Sequence, residues 1–91
     1  MALEERPREK MLLQGEKSLS NAELLAIILR TGTKQKNVIE LANYIINKDA
    51  QGIRHLQDIT IEELCQIDGV GKTKATMIKA SLELGDRNSV V

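Results

Sequence analysis

The segment IDGVGKTKA, at residues 67–75, is the part of this 91-residue chain best suited to binding an anion. Gly69 and Gly71 flank Val70 directly before a predicted helix. Glycine reaches backbone angles that are closed to other residues, and it lets a ligand approach the main chain closely. The free amides at the start of a helix, together with the helix dipole, attract negative groups. The segment therefore predicts a turn that binds phosphate through its backbone.

Lys72 and Lys74 add positive charge to this turn. They lie in a stretch from residue 72 to 79 that contains no acidic residue, although the whole chain has a formal net charge of zero. A lysine in the first turn of a helix opposes the helix dipole by a few tenths to about 1 kcal/mol. These positions are easier to explain if a phosphate binds there. The alternative is structural: the lysines are ordinary solvated charges, and the glycines serve only the geometry of a tight turn.

A weaker copy of this turn lies earlier in the chain, in the segment RTGTKQK. Residues 30–36 are also free of acidic side chains, but the segment contains only one glycine. We predict a secondary anion-binding turn here. Its candidate residues are Arg30, Gly32, Thr33, Lys34 and Lys36.

Enzyme chemistry is not expected of these residues. The letters GKT at residues 71–73 resemble the end of a nucleotide-binding P-loop, but that motif requires a glycine where this chain has Gln66. A single Cys65 and a single His55 cannot supply the three or four ligands of an ordinary zinc site, nor can one cysteine form an internal disulfide. We therefore expect no catalytic residue, no metal and no cofactor.

Two helix starts with matching caps position the turns. Ser20 is followed three residues later by Glu23, and Thr60 by Glu63, which is the spacing of a capping box. The second pair lies 40 residues after the first, and the segments SNAELLAI and TIEELCQI that begin at these caps are similar. The pattern indicates an internal repeat of helix, tight turn and helix. Leu19 with Leu24, and Ile59 with Leu64, are predicted to pack as hydrophobic staples.

Apolar spacing predicts the other helices. Val38, Leu41, Ala42 and Ile45 follow the helical spacing after the first turn, as do Ala75, Ile78 and Leu82 after the second. We predict helices over residues 7–14, 21–30 and 36–48, a helix from the second turn to near Gly85, and one further helical turn within residues 53–57.

Composition indicates a single all-α domain over residues 1–91. The chain has 42% hydrophobic residues and only one aromatic residue, Tyr44, and its leucine, isoleucine and alanine favour helices. No signal peptide or membrane span is indicated, so we expect a soluble cytoplasmic protein. The predicted parts are an N-terminal helix at 6–17, the first repeat at 20–48, a connector at 49–58, the second repeat at 59–87 and a tail at 88–91.

The second turn resembles the helix-hairpin-helix signature, in which an apolar residue lies between two glycines and an alanine follows four positions later. Here these residues are Gly69, Val70, Gly71 and Ala75. The resemblance implies a tandem helix-hairpin-helix fold with pseudo-twofold symmetry and five to six short helices. It also assigns DNA phosphate contact to Gly69, Val70, Gly71, Lys72 and Lys74, with Val70 mainly filling the gap between the helices.

The segments RPREK, GEKSLSNAELLAIILRTGTK and LCQIDGVGKTKA together resemble the N-terminal domain of the RadC family, also designated UPF0758. These are bacterial proteins that are labelled as DNA repair proteins. Their longer members carry a JAMM/MPN metallopeptidase-like domain after this one. The metal site of that domain cannot be carried over to any position here, because this chain has a single histidine. The resemblance implies a non-enzymatic module of a larger protein.

Two functions therefore remain open from the sequence. One is sequence-independent binding of duplex or branched DNA, in which the two turns span a minor groove and contact phosphates on opposite strands. The other is a protein-interaction or scaffolding role, in which the helices dock on the C-terminal domain of the longer protein or on another protein. The neutral net charge and the lack of aromatic stacking residues favour the second, whereas lysines at both turns favour the first.

Overall fold

The computed structural model describes the backbone of residues 6–89 and the side chains of residues 6–88. This part of the chain is all-helical, as predicted, and contains no strand. The expectations for residues 1–5, 90 and 91 lie outside the described residues. The six α-helices are α1 (Arg6–Gln14), α2 (Asn21–Leu29), α3 (Val38–Ile46), α4 (His55–Asp58), α5 (Ile61–Cys65) and α6 (Lys72–Ser89), and short 3-10 turns lie at Glu16–Ser18 and Gly52–Arg54.

Both predicted capping boxes are confirmed. The Ser20 hydroxyl accepts a hydrogen bond from the Glu23 amide at 3.2 Å, and the Glu23 carboxylate accepts one from the Ser20 amide at 2.9 Å. Thr60 and Glu63 make the equivalent pair at the start of α5. Each box satisfies two amides that the helix itself leaves without partners.

A third capping box, which the sequence prediction missed, fixes the start of α3. The Asn37 side chain accepts a hydrogen bond from the Glu40 amide at 2.8 Å, and Glu40 accepts one from the Asn37 amide at 2.9 Å. The helix therefore begins at Val38, two residues later than predicted, and Lys36 lies in the loop.

One hydrophobic core joins helices α2 to α6. α2 packs mainly on α3, and α6 lies across α2, α4 and α5. Within the described residues, no polar side chain is buried. Each fully buried leucine or isoleucine stabilises the fold by about 1.5 to 3 kcal/mol relative to an exposed one. The side chains that are buried most completely are Leu29, Leu41, Ile45, Leu56, Leu64, Ile78, Val38 and Pro7.

The predicted end of the last helix near Gly85 is wrong, because α6 continues to Ser89. Gly15, in contrast, does follow the end of a helix: it comes directly after the last residue of α1 and has φ of 89°. Gly85 is not among the glycines with positive φ. A glycine with helical angles costs about 1 kcal/mol relative to alanine, which lowers helix stability but does not end the helix. Asn88 and Ser89, predicted to begin a tail, are helical.

The connector between the repeats is held by hydrogen bonds to two helices. The Lys79 ammonium of α6 donates to the carbonyl oxygens of Leu56 and Gln57, each at 3.0 Å, at the end of α4. His55 Nε2 lies 2.9 Å from the Ile45 carbonyl oxygen of α3 and donates to it, since a carbonyl can only accept. The helical turn predicted for this segment is confirmed.

Among residues 6–89 no helix is long and apolar enough to span a membrane.

Candidate nucleic-acid interface

The second turn joins α5 to α6 and is anchored by one buried side chain. Val70 is only 3% exposed and belongs to the hydrophobic core, and its amide donates to the Ile67 carbonyl oxygen at 3.0 Å. Gly69 has φ of 93°, in the left-handed region that favours glycine. Gly71, on the other side of Val70, is exposed. The turn therefore holds its centre inside the protein and presents its second glycine to solvent.

Gly69 and Gly71 differ in what the fold requires of them. A Cβ atom added to Gly69 would collide with Cγ2 of Thr33, which belongs to the first turn. A Cβ atom added to Gly71 would meet no atom within 4 Å, and the backbone there is not in the left-handed region. The fold of the chain therefore explains Gly69, but it leaves room for a side chain at Gly71.

The start of α6 differs from the starts of the other helices. Each of α1 to α5 has an acidic residue in its first turn, and α2, α3 and α5 also have capping boxes. α6 has no acid in its first turn and begins with Lys72, Thr73 and Lys74. The preceding residue, Gly71, has no side chain with which to cap the first amides. The positive end of this helix therefore has no side-chain cap from the preceding residue and carries two further positive charges.

The two lysines at the start of α6 have different surroundings. Lys72 is exposed and makes no hydrogen bond or ion pair with another described residue. The Lys74 ammonium donates to the Thr31 carbonyl oxygen at 2.7 Å and contacts the Thr31 hydroxyl at 3.1 Å. Thr31 follows the end of α2, where carbonyl groups without helical partners favour a cation. Lys72 is thus free to meet a ligand, whereas Lys74 also links the two turns.

The first turn begins with a strained residue. Arg30, directly after α2, has φ of 72° and ψ of −46°, and it is the single described residue other than glycine with positive φ. The Thr31 amide donates to the Leu29 carbonyl oxygen at 2.8 Å, which closes a three-residue γ-turn around Arg30. This form of the γ-turn is rare and costs free energy of order 1 to 3 kcal/mol. The exposed Arg30 side chain is thereby set at the edge of the turn.

The rest of the first turn uses its backbone groups internally. The Thr33 amide donates to the Lys36 carbonyl oxygen at 2.7 Å, and the Thr33 hydroxyl accepts from the amides of Gln35 and Lys36 at 3.2 and 3.0 Å. A Cβ atom on Gly32 would collide with the backbone of residues 36–38, so glycine is required for closure. This turn therefore offers an anion few free amides, and its available charges are side chains.

The lysine side chains of the first turn have different surroundings. Lys34 is exposed. The Lys36 ammonium lies 4.8 Å from the centre of the Tyr44 ring, and Lys48 approaches the same ring at 5.2 Å. Tyr44 is 44% exposed, so this cation–π cluster lies at the surface. It is an interaction of about 0.5 to 1 kcal/mol at such sites.

The two turns touch and form one surface, which we call the turn surface. Thr33 packs against Gly69, and Lys74 bonds to Thr31 from 43 residues away. The predicted residues are thereby gathered on adjacent turns, and Val70 between them is buried.

The sequence prediction missed two residues of this region, Thr31 and Asn37. Asn37 had a readable signal, because Glu40 follows it at capping-box spacing. Thr31 had none, because its partner is distant in sequence. The turn surface consists of Arg30, Thr31, Gly32, Thr33, Lys34, Lys36, Gly69, Gly71, Lys72 and Lys74.

Comparison with known proteins identifies relatives that are longer than this chain. A UPF0758 protein of Clostridioides difficile (strain 630) is 77% identical over 87 residues, which are 96% of this chain and 37% of that protein. UPF0758 proteins of Alkaliphilus oremlandii and Bacillus cereus (strain 03BB102) are 58% and 52% identical over 99% and 92% of this chain, and 39% and 37% of their own lengths. The chain thus spans less than two fifths of these curated relatives. No solved structure matches it.

The family model described as UPF0758 N-terminal matches residues 1–76, which include both turns and the start of α6. This match agrees with the resemblance noted from the sequence. Together with the relatives above, it shows that the chain belongs to the UPF0758 family and corresponds to its N-terminal domain.

Proposed function

We propose that this domain binds DNA without reading its sequence, by contacting phosphate groups through the turn surface. The observation that carries the proposal is the start of α6: it has Lys72 and Lys74 in place of the usual acid, and it follows Gly71, which has no capping side chain and around which the fold leaves open space. A phosphate oxygen close to the backbone would accept hydrogen bonds from the free amides, and it would offset the repulsion between the lysines and the helix dipole.

Lys72 and the amides after Gly71 form the primary contact in this proposal. Arg30 and Lys34 of the first turn add charge beside it, because the two turns are held together by Lys74 and Thr31. Contacts of this kind reach phosphates, which are the same in every sequence, so they position a protein on DNA without base information. RadC proteins, which this chain resembles, are labelled as DNA repair proteins, and that label is consistent with a DNA-binding module. We include a role in DNA repair in the proposal.

The expected binding is weak and depends strongly on salt. If each turn neutralises about one or two phosphates, the logarithm of the affinity should fall against the logarithm of the salt concentration with a slope of roughly −2 to −4. The sequence pI of about 6.6 means that the domain as a whole does not attract DNA at neutral pH. Affinity therefore depends on the local charge of the turn surface.

Fluorescence anisotropy with labelled duplex and branched DNA, measured over a range of salt concentrations, tests the proposal. The Lys72→Ala variant should bind more weakly, and its salt slope should be smaller by about 1, because one phosphate contact is lost. Lys17→Ala is the matched control, since Lys17 is an exposed lysine of the 3-10 turn after α1. It should bind as the wild type does.

The Lys74→Met variant tests whether Lys74 acts by contacting DNA or by holding the two turns together. Removing its ammonium breaks the link to Thr31, so this variant should lose both stability and affinity, whereas Lys72→Ala should lose affinity alone. No binding by the wild-type domain at low salt, or equal binding by the Lys72 and Lys17 variants, would contradict the proposal.

A further inference from the structure

The outer face of α6 carries apolar side chains that the domain leaves uncovered. Met77, Ala80 and Leu84 follow each other at helical spacing, on the side opposite the buried residues Ala75 and Ile78. Leu84 is 64% exposed and Met77 is 38% exposed. Ala80, Glu83, Leu84 and Arg87 line a shallow depression on this face. A helix of a small domain ordinarily presents polar residues on its outer side.

The C-terminal part of α6 extends beyond the core of the domain. Leu82 is the last residue of the helix that packs against the core, and the side chains of residues 83–88 are all exposed. Seven residues, from Glu83 to Ser89, extend an α-helix by about 10 Å. Most helical stability in proteins comes from packing of an apolar face, and Gly85 lowers the intrinsic stability of this part by about 1 kcal/mol. A partner for this face would supply the missing packing.

The relatives show how much polypeptide is available to be that partner. The matched region is 37–39% of their length and corresponds to the family's N-terminal domain, so most of each relative follows the matched region. Because α6 is the last helix of the described residues, its exposed end is the part of the domain nearest to this polypeptide along the chain. Attachment to the same chain gives it a high local concentration at this face.

We propose that the face formed by Met77, Ala80 and Leu84 is the docking surface for the polypeptide that follows this domain in the full-length protein. α6 then begins at the turn surface and ends in an interface with the rest of the protein. As a single helix of 18 residues, about 27 Å long, it holds the turn surface at a fixed distance and orientation from the following domain. This proposal does not depend on DNA binding.

Thiol accessibility in two proteins tests it. Leu84→Cys in the 91-residue chain is compared with cysteine at the aligned position of the full-length Clostridioides difficile relative, with native cysteines changed to serine in both. The Leu84 position should react rapidly in the 91-residue chain and slow by about tenfold or more in the full-length protein, where reaction requires the interface to open. Glu62→Cys is the matched control, because Glu62 is an exposed polar residue of α5, and this cysteine should react at similar rates in both proteins.

Three results would overturn the proposal. Equal rates at the Leu84 position in both proteins would show that nothing covers α6. Equal slowing at the Glu62 and Leu84 positions would show burial that is not specific to α6. Protection that grows with protein concentration would assign the face to a second copy of the protein. A Leu84→Glu variant keeps the test independent of folding. In the 91-residue chain its thermal stability should match the wild type, because the side chain is exposed there. In the full-length relative the same change should weaken the interface and so raise the reactivity of a cysteine placed at the Met77 position.

Discussion

At the scale of single residues, the two glycines of the second turn have different reasons to be glycine. Gly69 has a left-handed backbone and packs directly on Thr33, and both conditions exclude a side chain. Gly71 meets neither condition. The sequence presents them as equivalent members of one motif, and only the long-range packing of the first turn on the second separates them.

Gly69→Ala should therefore destabilise the domain strongly. Placing alanine in the left-handed region costs about 1 to 2 kcal/mol, and overpacking against Thr33 costs about 1 to 3 kcal/mol more. Urea denaturation followed by far-UV circular dichroism measures the loss. Thr33→Ser removes the colliding Cγ2 but keeps the hydroxyl that accepts two amides, so it should recover only the overpacking part in the double variant. Full recovery, or none, would contradict this division of the cost.

Gly71→Ala should change stability little but weaken DNA binding. The added methyl group meets open space, but alanine is a poorer residue than glycine directly before a helix, so stability should fall by about 1 kcal/mol. DNA affinity should fall several-fold, because the methyl group lies where a phosphate would approach the amides. Anisotropy and denaturation on the same preparation test both halves. Unchanged affinity would remove Gly71 from the proposed contact.

At the scale of elements, the capping box of α2 also links this helix to α1. The Lys10 ammonium lies 3.2 Å from the Glu23 carboxylate, which accepts from the Ser20 amide as well. The Ser20 amide is the largest influence that holds the pKa of Glu23 below its usual range, Lys10 adds to it, and partial burial opposes it. An acid whose pKa is lowered on folding stabilises the protein above its unfolded pKa of about 4.3, and this contribution is lost as the pH falls through the lower, folded value.

Glu23→Gln should consequently flatten the dependence of stability on pH at the acidic end. The wild type should lose stability from about pH 5 downward, and the variant should start from a lower stability at neutral pH and lose less. Urea midpoints at a series of pH values from neutral to acidic measure the difference. Glu16→Gln is the control, since Glu16 is an exposed acid of the neighbouring 3-10 turn, and it should leave the profile unchanged. Parallel profiles for Glu23→Gln and the wild type would contradict the role given to Glu23.

Local patterns predicted most of the elements. The caps at Ser20 and Thr60 and the apolar spacing of α3 and α6 act between residues that are near in sequence, so the sequence alone indicated them. The errors arose where a local signal was overridden or overlooked. Asn37 moved the start of α3 because its cap is satisfied by Glu40, and Gly85 did not end α6 because it has helical angles. The γ-turn at Arg30 could not be predicted, since it depends on how the whole first turn closes.

At the scale of the whole molecule, α6 joins the two repeats. It packs on α2 of the first repeat, on α5 of the second and on α4 of the connector, and Lys74 and Lys79 donate to carbonyl groups at the ends of α2 and α4. The two repeats share one core, because buried residues of both belong to the same cluster. These contacts join residues distant in sequence, which is why the repeats were predicted but their packing was not.

Ile78→Ala should therefore destabilise both repeats together. Ile78 is 1% exposed at the centre of α6, and removal of a buried isoleucine side chain costs about 2 to 5 kcal/mol, against a total stability of about 5 to 14 kcal/mol for a domain of this size. Hydrogen exchange measured by NMR should show the slowest amides of α3 and α6 accelerating by a similar factor, because both exchange through global unfolding. Met77→Ala, on the exposed face of the same helix, is the control. Acceleration confined to α6 would show that the repeats unfold separately.

The cation–π cluster around Tyr44 has a spectroscopic consequence. Tyr44 is the only aromatic residue of the chain, so the intrinsic emission of the protein comes from one ring with Lys36 and Lys48 beside it. An anion that draws Lys36 away from the ring changes the surroundings of this fluorophore, whereas an anion held by Lys72 alone leaves them as they are. Unlabelled protein thus carries its own optical reporter of whether the first turn takes part in binding.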